Sequence, residues 1–247
     1  MSYQIDGSVH RSGILNERKT ADVLTEKNIF GCKVETRGGT KFKEDMVAGK
    51  LLLSAKDKKK LSTGSFDWGN FSSMVSDIFG DHFDDFKQEV LKIREMDTDD
   101  RVSYLSSTRR KFADTCSAAF DCLSKQQVCE LISNAISHGI DYVFVNDNQN
   151  NVLYQFNPED HPAVKMAQTC DSIKFTGRGK SSRRVIFVKD GVEYNYGIRL
   201  RITCNNGITA FLKLSKANNN SQIVMKLQQD SVHKLVNQWV DCKTISY

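Results

Sequence analysis

Proline is almost absent from this chain: two prolines in 247 residues leave no proline-rich linker to divide it, and no low-complexity stretch does so either. One α/β domain with elaborations is therefore expected. No apolar run approaches the roughly 20 residues that a membrane span needs. The start, Met1-Ser-Tyr-Gln-Ile-Asp6, lacks the basic region and following apolar stretch of a secretory signal. The seven cysteines are odd in number, scattered, and include no Cys-x-x-Cys pair. They fit reduced, mostly buried thiols of an intracellular protein better than a disulfide or zinc framework. There is no Gly-x-Ser-x-Gly, and none of the five histidines forms a metal-ligand pair at helical spacing. Gly179-Lys180-Ser181 has the ending of a phosphate loop, but Lys174 stands where that loop needs its first glycine, which excludes it.

What is present is charge, unevenly spread. The net charge is only +5, yet Lys33 to Lys60 holds nine basic against four acidic residues, and Ser172 to Lys226 eleven against two. Phe71 to Asp100 runs the other way, with nine acidic against three basic. Two basic regions favour a polyanionic ligand over plain solvated faces.

Periodicity supplies the outline. Residues 13 to 28 read as a first helix with Leu15, Ala21 and Leu24 on one face, followed by a strand from Cys32 to Thr36. Met46–Ala48 and Leu51–Leu53 read as two buried strands joined by Gly49-Lys50, a two-residue hairpin turn. The polar loop from Leu61 to Asn70 carries Phe66 and Trp68 either as core plugs or beside a site that Ser65 or Asp67 touches. Residues 71 to 139 read as three helices, 72–96, 97–123 and one capped by Ser124, with Gly80 a point where the first can split. Arg109-Arg110-Lys111 on these helices reads as a solvated face. From Ile140 the period becomes two, giving strands at 142–145, 152–156, 184–188, 194–204, 208–214 and 223–227, then a helix from about Asp230 through Trp239. The strand around Arg199 and Arg201 sets these cations on one face and Ile198, Leu200 and Ile202 on the other.

The hairpin carries the chemistry. Two antiparallel strands bring Asp45 and Lys56 to the same open end, with Lys58 on the same strand face as Lys56. A carboxylate there can hold a divalent cation while a lysine orients or deprotonates a water. Glu17, on a helix packing beside the sheet, is placed to lean towards Asp45.

On these residues the chain resembles the PD-(D/E)XK nucleases, and among them type II restriction endonucleases. Asp45 matches the family's metal-binding aspartate and Lys56 its lysine on the next strand. Asn16-Glu17 with Ala21 is similar to an Asn-Glu-x-x-x-Ala helix found ahead of the nuclease core, and Ser54-Ala55-Lys56 followed by Gly64-Ser-Phe-Asp-Trp68 is also similar to that group. The resemblance spans roughly residues 13 to 70. It departs at Ser54, where the family carries a second acidic residue.

The resemblance implies an α/β (α+β) fold over 1–247. Its parts would be the start of a restriction-endonuclease-like catalytic core in 1–70, a helical insertion in 71–139, and a β-rich basic DNA-binding part in 140–247. It also implies Mg2+, with Mn2+ as a substitute, held by Asp45, the Ala55 carbonyl and Glu17 in place of the missing acid. Catalysis would fall to Asp45, Lys56, Glu17 and Ser54. The activity implied is endonucleolytic cutting of double-stranded DNA by a cytoplasmic monomer or homodimer in a prokaryotic or viral setting. A phage or repair nicking nuclease of the same fold and a non-catalytic binding module on a decayed nuclease fold are the alternatives. Candidate DNA contacts are Arg178, Lys180, Arg183, Arg184, Arg199, Arg201, Lys216, Asn218, Asn219, Asn220 and Ser65, since Arg and Lys suit guanine and phosphate while Asn and Gln suit adenine.

Overall fold

In the computed structural model the described residues are 8–37, 44–57, 66–204, 223–230 and 242–247. They form an α+β protein with two sheets. The expected strand at 208–214 and helix at 230–239 fall largely or wholly outside the described residues. The chain groups into two compact units, each assembled from separated segments: Met1–Phe66 with Ile136–Met166 and Asp230–Tyr247, and Asp67–Ala135 with Ala167–Gln229. The three consecutive stretches read from the sequence therefore do not coincide with the units.

The first unit is a mixed sheet with one helix laid on it. Helix α1 (Ser8–Glu26) precedes β1 (Val34–Thr36), β2 (Met46–Ala48) and β3 (Leu51–Asp57). Further along are β5 (Tyr142–Asp147), β6 (Val152–Phe156) and β12 (Lys243–Ser246). The order is β1-β2-β3-β5-β6-β12, and every pairing is antiparallel except β3 with β5. Gly49, at φ +60°, takes the left-handed first position of the β2–β3 turn, where a side chain would be strained.

Strand alternation builds the core. Met46, Ala48, Leu53 and Ala55 turn to the face on which Ala21, Val23 and Leu24 of α1 pack, joined by Phe144 and Leu153. Full burial of each larger side chain contributes about 1.5–3 kcal/mol. The helix face differs from the expected one: Leu15 is 64% exposed, whereas Asn16 and Thr20 are buried. Of these two, Thr20 meets a partner on the sheet side. Thr20 Oγ1 donates to the Asn16 carbonyl at 2.8 Å and accepts from Asn146 Nδ2 at 3.4 Å, and Tyr247 Oη donates to Asn146 Oδ1 at 2.7 Å.

The second unit carries β4 (Phe66–Asn70), α2 (Ser72–Arg94), α3 (Thr98–Asp121) and α4 (Lys125–Ile136, which ends at the unit boundary). After α5 (Pro162–Thr169) come β7 (Ser172–Thr176), β8 (Ser182–Lys189), β9 (Val192–Tyr194), β10 (Ile198–Cys204) and β11 (Ile223–Gln229). The sheet order is β4-β11-β10-β8-β7, with β9 on β8. Residues 66–70, expected as a loop, are thus a strand, and Trp68 is buried from it. Gly80 does not interrupt α2. Ser124 begins α4 through a reciprocal cap: its Oγ accepts from Gln127 N–H while its own N–H donates to Gln127 Oε1. The expected long strand 194–204 is broken at Gly197, whose φ is +73°. Helices α2 and α3 pack on β11 and β8, and the rings of Phe120 and Phe175 meet at 6.0 Å.

Candidate active site

Asp45 is the residue just before β2, and its backbone is held from both sides. Its N–H donates to the Leu53 carbonyl and its carbonyl accepts from Arg37 N–H, each at 2.9 Å. The preceding Glu44 is buried and ion-paired with Arg37 at 2.6 Å, which ties the end of β1 to the entry of β2. With Met46 committed to the core, alternation turns the Asp45 side chain to the opposite face, the one on which β3 presents Ser54 and Lys56.

There the three residues converge. Asp45 Oδ2 accepts from Ser54 Oγ and from the Ala55 N–H, both at 2.8 Å, and Lys56 Nζ lies 3.6 Å from the same oxygen. Ser54 is buried, while Asp45 and Lys56 keep about a quarter and a fifth of their side-chain surface in solvent. The β2–β3 ladder ends at Met46 and Leu53, so the Ala55 backbone faces Asp45 instead of a ladder partner. In an extended strand the carbonyl of a residue leaves on the same side as its N–H, so the Ala55 carbonyl is on this side too. The cluster sits at the carboxyl end of β3, the strand at which antiparallel pairing with β2 changes to parallel pairing with β5.

The metal expectation meets this geometry in part. Mg2+ takes one or two carboxylates and completes its shell with waters and substrate phosphate oxygens. Asp45 fits as a single anchoring carboxylate, with the Ala55 carbonyl as a neutral donor. Among the described residues no three His, Cys, Asp or Glu side chains form a ready-made metal group. Glu17 is half-buried on α1, the helix that packs against the Met46, Leu53 and Ala55 side of the hairpin. To share an ion with Asp45, its carboxylate has to pass the strand ends, since the sheet lies between the two faces. Burial pushes the Cys129 and Cys204 thiols up to about 12, which argues against thiolate chemistry at those two positions.

The candidate DNA contacts separate into different environments. Arg178 and Lys180 are exposed on the β7–β8 turn, which is anchored by Gly179 N–H donating to Ser117 Oγ at 3.0 Å. Arg183 is 2% exposed, and its guanidinium donates to both Asp121 carboxylate oxygens and to Ser117 Oγ. That corrects its assignment as a DNA contact: the charge is spent holding β8 to α3. Arg184 and Arg201 are exposed and Arg199 is half-buried, all on the strand face opposite that of Arg183. Ser65, Lys216, Asn218, Asn219 and Asn220, like Lys58, lie outside the described residues.

Sequence reading missed Glu44 and Asp141. Asp141 Oδ2 accepts from the Leu52 N–H at 2.7 Å and its N–H donates to the Leu52 carbonyl, fixing β5 to β3 beside the site. Its position between Gly139 and an apolar strand was the available cue. Among the described residues no helix is long and apolar enough to cross a membrane. Together the fold and the cluster define an α+β protein with an aspartate–serine–lysine group at the edge of a sheet switch. No family model, curated protein or solved structure matches the chain.

Proposed function

We propose that the protein is a Mg2+-dependent endodeoxyribonuclease that hydrolyses phosphodiester bonds in double-stranded DNA, of the sequence-specific restriction type. The observation that carries this reading is the convergence of Asp45, Ser54 and Lys56 on one carboxylate oxygen at the end of β3. When bound, Mg2+ supplies charge neutralisation at the scissile phosphate and acidifies a coordinated water. Asp45 is the anchoring carboxylate, with the Ala55 carbonyl beside it. Ser54 and the Ala55 N–H hold that carboxylate in one orientation, so it does not reorganise as charge develops. The Lys56 ammonium, a compact cation close to Asp45, positions the attacking water and stabilises the phosphorane-like charge. Because a neutral hydroxyl stands at Ser54, Asp45 is the carboxylate that would hold the metal beside Lys56, and waters and substrate phosphate oxygens would have to supply the remaining donors.

The test is incubation of supercoiled plasmid with Mg2+ and either the wild-type protein or Asp45→Ala. Wild type should nick or linearise the plasmid and the variant should not. Equal cutting by both removes this site from the reaction. Binding without cutting under Mg2+ and Mn2+ leaves the non-catalytic module as the better reading. Discrete fragments from a longer DNA mean sequence specificity, and a smear means general degradation.

A further inference from the structure

Lys56 and a divalent cation have one carboxylate to share. Asp45 Oδ2 accepts from Ser54 Oγ and from the Ala55 N–H at 2.8 Å each, and the Lys56 ammonium stands 3.6 Å from the same oxygen. A carboxylate offers about four lone-pair positions over its two oxygens. Oδ2 is therefore taken up within the protein, and Oδ1 is the oxygen left to ligate an ion. An ion on Oδ1 and an ammonium beside Oδ2 are neighbours across a single carboxyl group.

The charges around the pair do little to relieve this. Glu44, next to Asp45 in the chain, is ion-paired with Arg37 at 2.6 Å. At position 54 a second carboxylate could have served the lysine and left Asp45 to the ion, but the side chain there is a neutral hydroxyl that donates to Asp45. Among the described residues no three His, Cys, Asp or Glu side chains gather into a metal group. Lys56 and Asp45 keep only 19% and 25% of their side-chain surface in solvent, so their charges are screened less than those of a surface pair. A monovalent and a divalent cation then repel each other across one negative charge.

We propose that Lys56 antagonises metal binding at this site: its ammonium and a divalent cation compete for Asp45, so that the protein alone holds the metal weakly. The inference rests on the nuclease reading for the identity of the ion, and in that reading the substrate phosphodiester brings the second negative charge. It gives the lysine a cost as well as a role in positioning water, and it fixes the sign of an effect that a purely supporting lysine would reverse.

The experiment titrates the full chain with Mn2+ alone, without DNA, and reads free Mn2+ by electron paramagnetic resonance. Lys56→Gln is expected to bind Mn2+ at least about tenfold more tightly than wild type, because a unit charge about 4 Å from the ligating group is removed. Lys56→Met, a second neutral replacement, should match it. Lys56→Arg keeps the charge and should stay within about threefold of wild type. Adding Asp45→Asn to Lys56→Gln should abolish the gain. The Mn2+-dependent rise in melting temperature should follow the same order and shows that each variant is folded. The proposal is overturned if both neutral variants bind no more tightly than wild type, if Lys56→Arg gains as much as they do, or if the gain survives Asp45→Asn. Plasmid cutting separates this from the parent reading. Tighter Mn2+ binding by Lys56→Gln, with no cutting by wild type, keeps the antagonism and removes the nuclease. Cutting by wild type, with no gain in the variants, removes the antagonism alone.

Discussion

Ser54 is the residue at which the candidate site departs from an ordinary two-carboxylate centre, and its contacts say what it does instead. Its hydroxyl donates to Asp45 Oδ2 at 2.8 Å from a buried position. Ser54→Ala is expected to slow plasmid nicking about 5- to 30-fold, the equivalent of roughly 1–2 kcal/mol for removing a hydrogen bond to a charged group. DNA affinity should change less than twofold, because the serine positions the carboxylate and does not touch substrate. Initial rates at saturating Mg2+, alongside anisotropy without metal, separate the two quantities. The Arg183–Asp121 pair makes a second residue-scale prediction. Arg183 is buried at 2% side-chain exposure while Asp121 keeps 55%, so the two deletions are unequal. Asp121→Ala strands a buried charge and should cost about 3 kcal/mol in urea unfolding, within the range for breaking a buried pair. Arg183→Met lets Asp121 return to water and should cost less than half as much. Sequence reading grouped Arg183 with Arg184 because it began the strand only at Arg184 and left Arg183 in the basic turn before it. Adjacent strand residues face opposite ways, and which one meets α3 depends on a register set by β10, so the distinction was not legible locally.

At the scale of elements, the β2–β3 hairpin was legible because a glycine turn between two short apolar runs defines both strands and the positions at their open end. Asp45 and Lys56 followed from that alone. Strand β4 was not: its ladder partner β11 lies about 150 residues downstream, and its own Asp-Trp-Gly-Asn composition resembles a turn. The buried face of α1 was misjudged at Leu15 because that face carries the polar Asn16 and Thr20, the latter bonded to Asn146 of the sheet, which no periodicity count can anticipate. Helices α2 and α3, in the acidic stretch of the sequence, hold the largest carboxylate perturbation among the described residues. The Tyr104 hydroxyl donates to Glu89, and with help from Lys111 at 3.2 Å and Lys92 at 3.4 Å it holds Glu89 at about 2, well below its usual 4.5. A carboxylate lowered in the folded state stabilises fully above its unfolded value and loses that contribution as pH falls towards the folded one. The Glu89 contribution is thus present above about pH 4.5 and fades towards pH 2. Urea midpoints of wild type and Glu89→Gln should differ at pH 6 and converge between pH 4.5 and 2.5. A gap that stays constant over that range contradicts the assignment. The effect is modest in size because Glu89 keeps about a fifth of its side-chain surface in solvent and its lysine partners are more exposed.

Over the whole molecule the sequence is interleaved, and this is what a linear reading cannot supply. The strand carrying Lys56 pairs in parallel with β5 from Leu53–Tyr142 to Asp57–Asn146, so the candidate site's sheet closes only after the chain has traversed the helices of the second unit. Parallel pairing demands a crossover of this kind, but nothing in the local pattern says how long it is. The same holds at the far edge. Strand β12, from the last residues of the chain, pairs with β6 from Lys243–Gln155 to Ser246–Val152, and Tyr247 bonds Asn146 while its ring lies 4.9 Å from Lys19 Nζ. The end of the chain therefore braces the sheet that holds Asp45, although it is distant from it in sequence. Removal of residues 242–247 exposes the β6 edge and frees Asn146 from its tyrosine. Amide hydrogen exchange should then speed up about 10- to 100-fold in Leu153–Phe156 and next in β5, as a loss of roughly 1.4–2.8 kcal/mol of local stability implies. Strands β8, β10 and β11 serve as the internal reference, since β12 gives them no ladder bond. Nicking activity should fall with the protection of β5, because β5 is the parallel partner that holds β3, and with it Ser54 and Lys56, in register with Asp45. Full activity with unprotected β5 amides would show that the hairpin alone keeps the cluster in place.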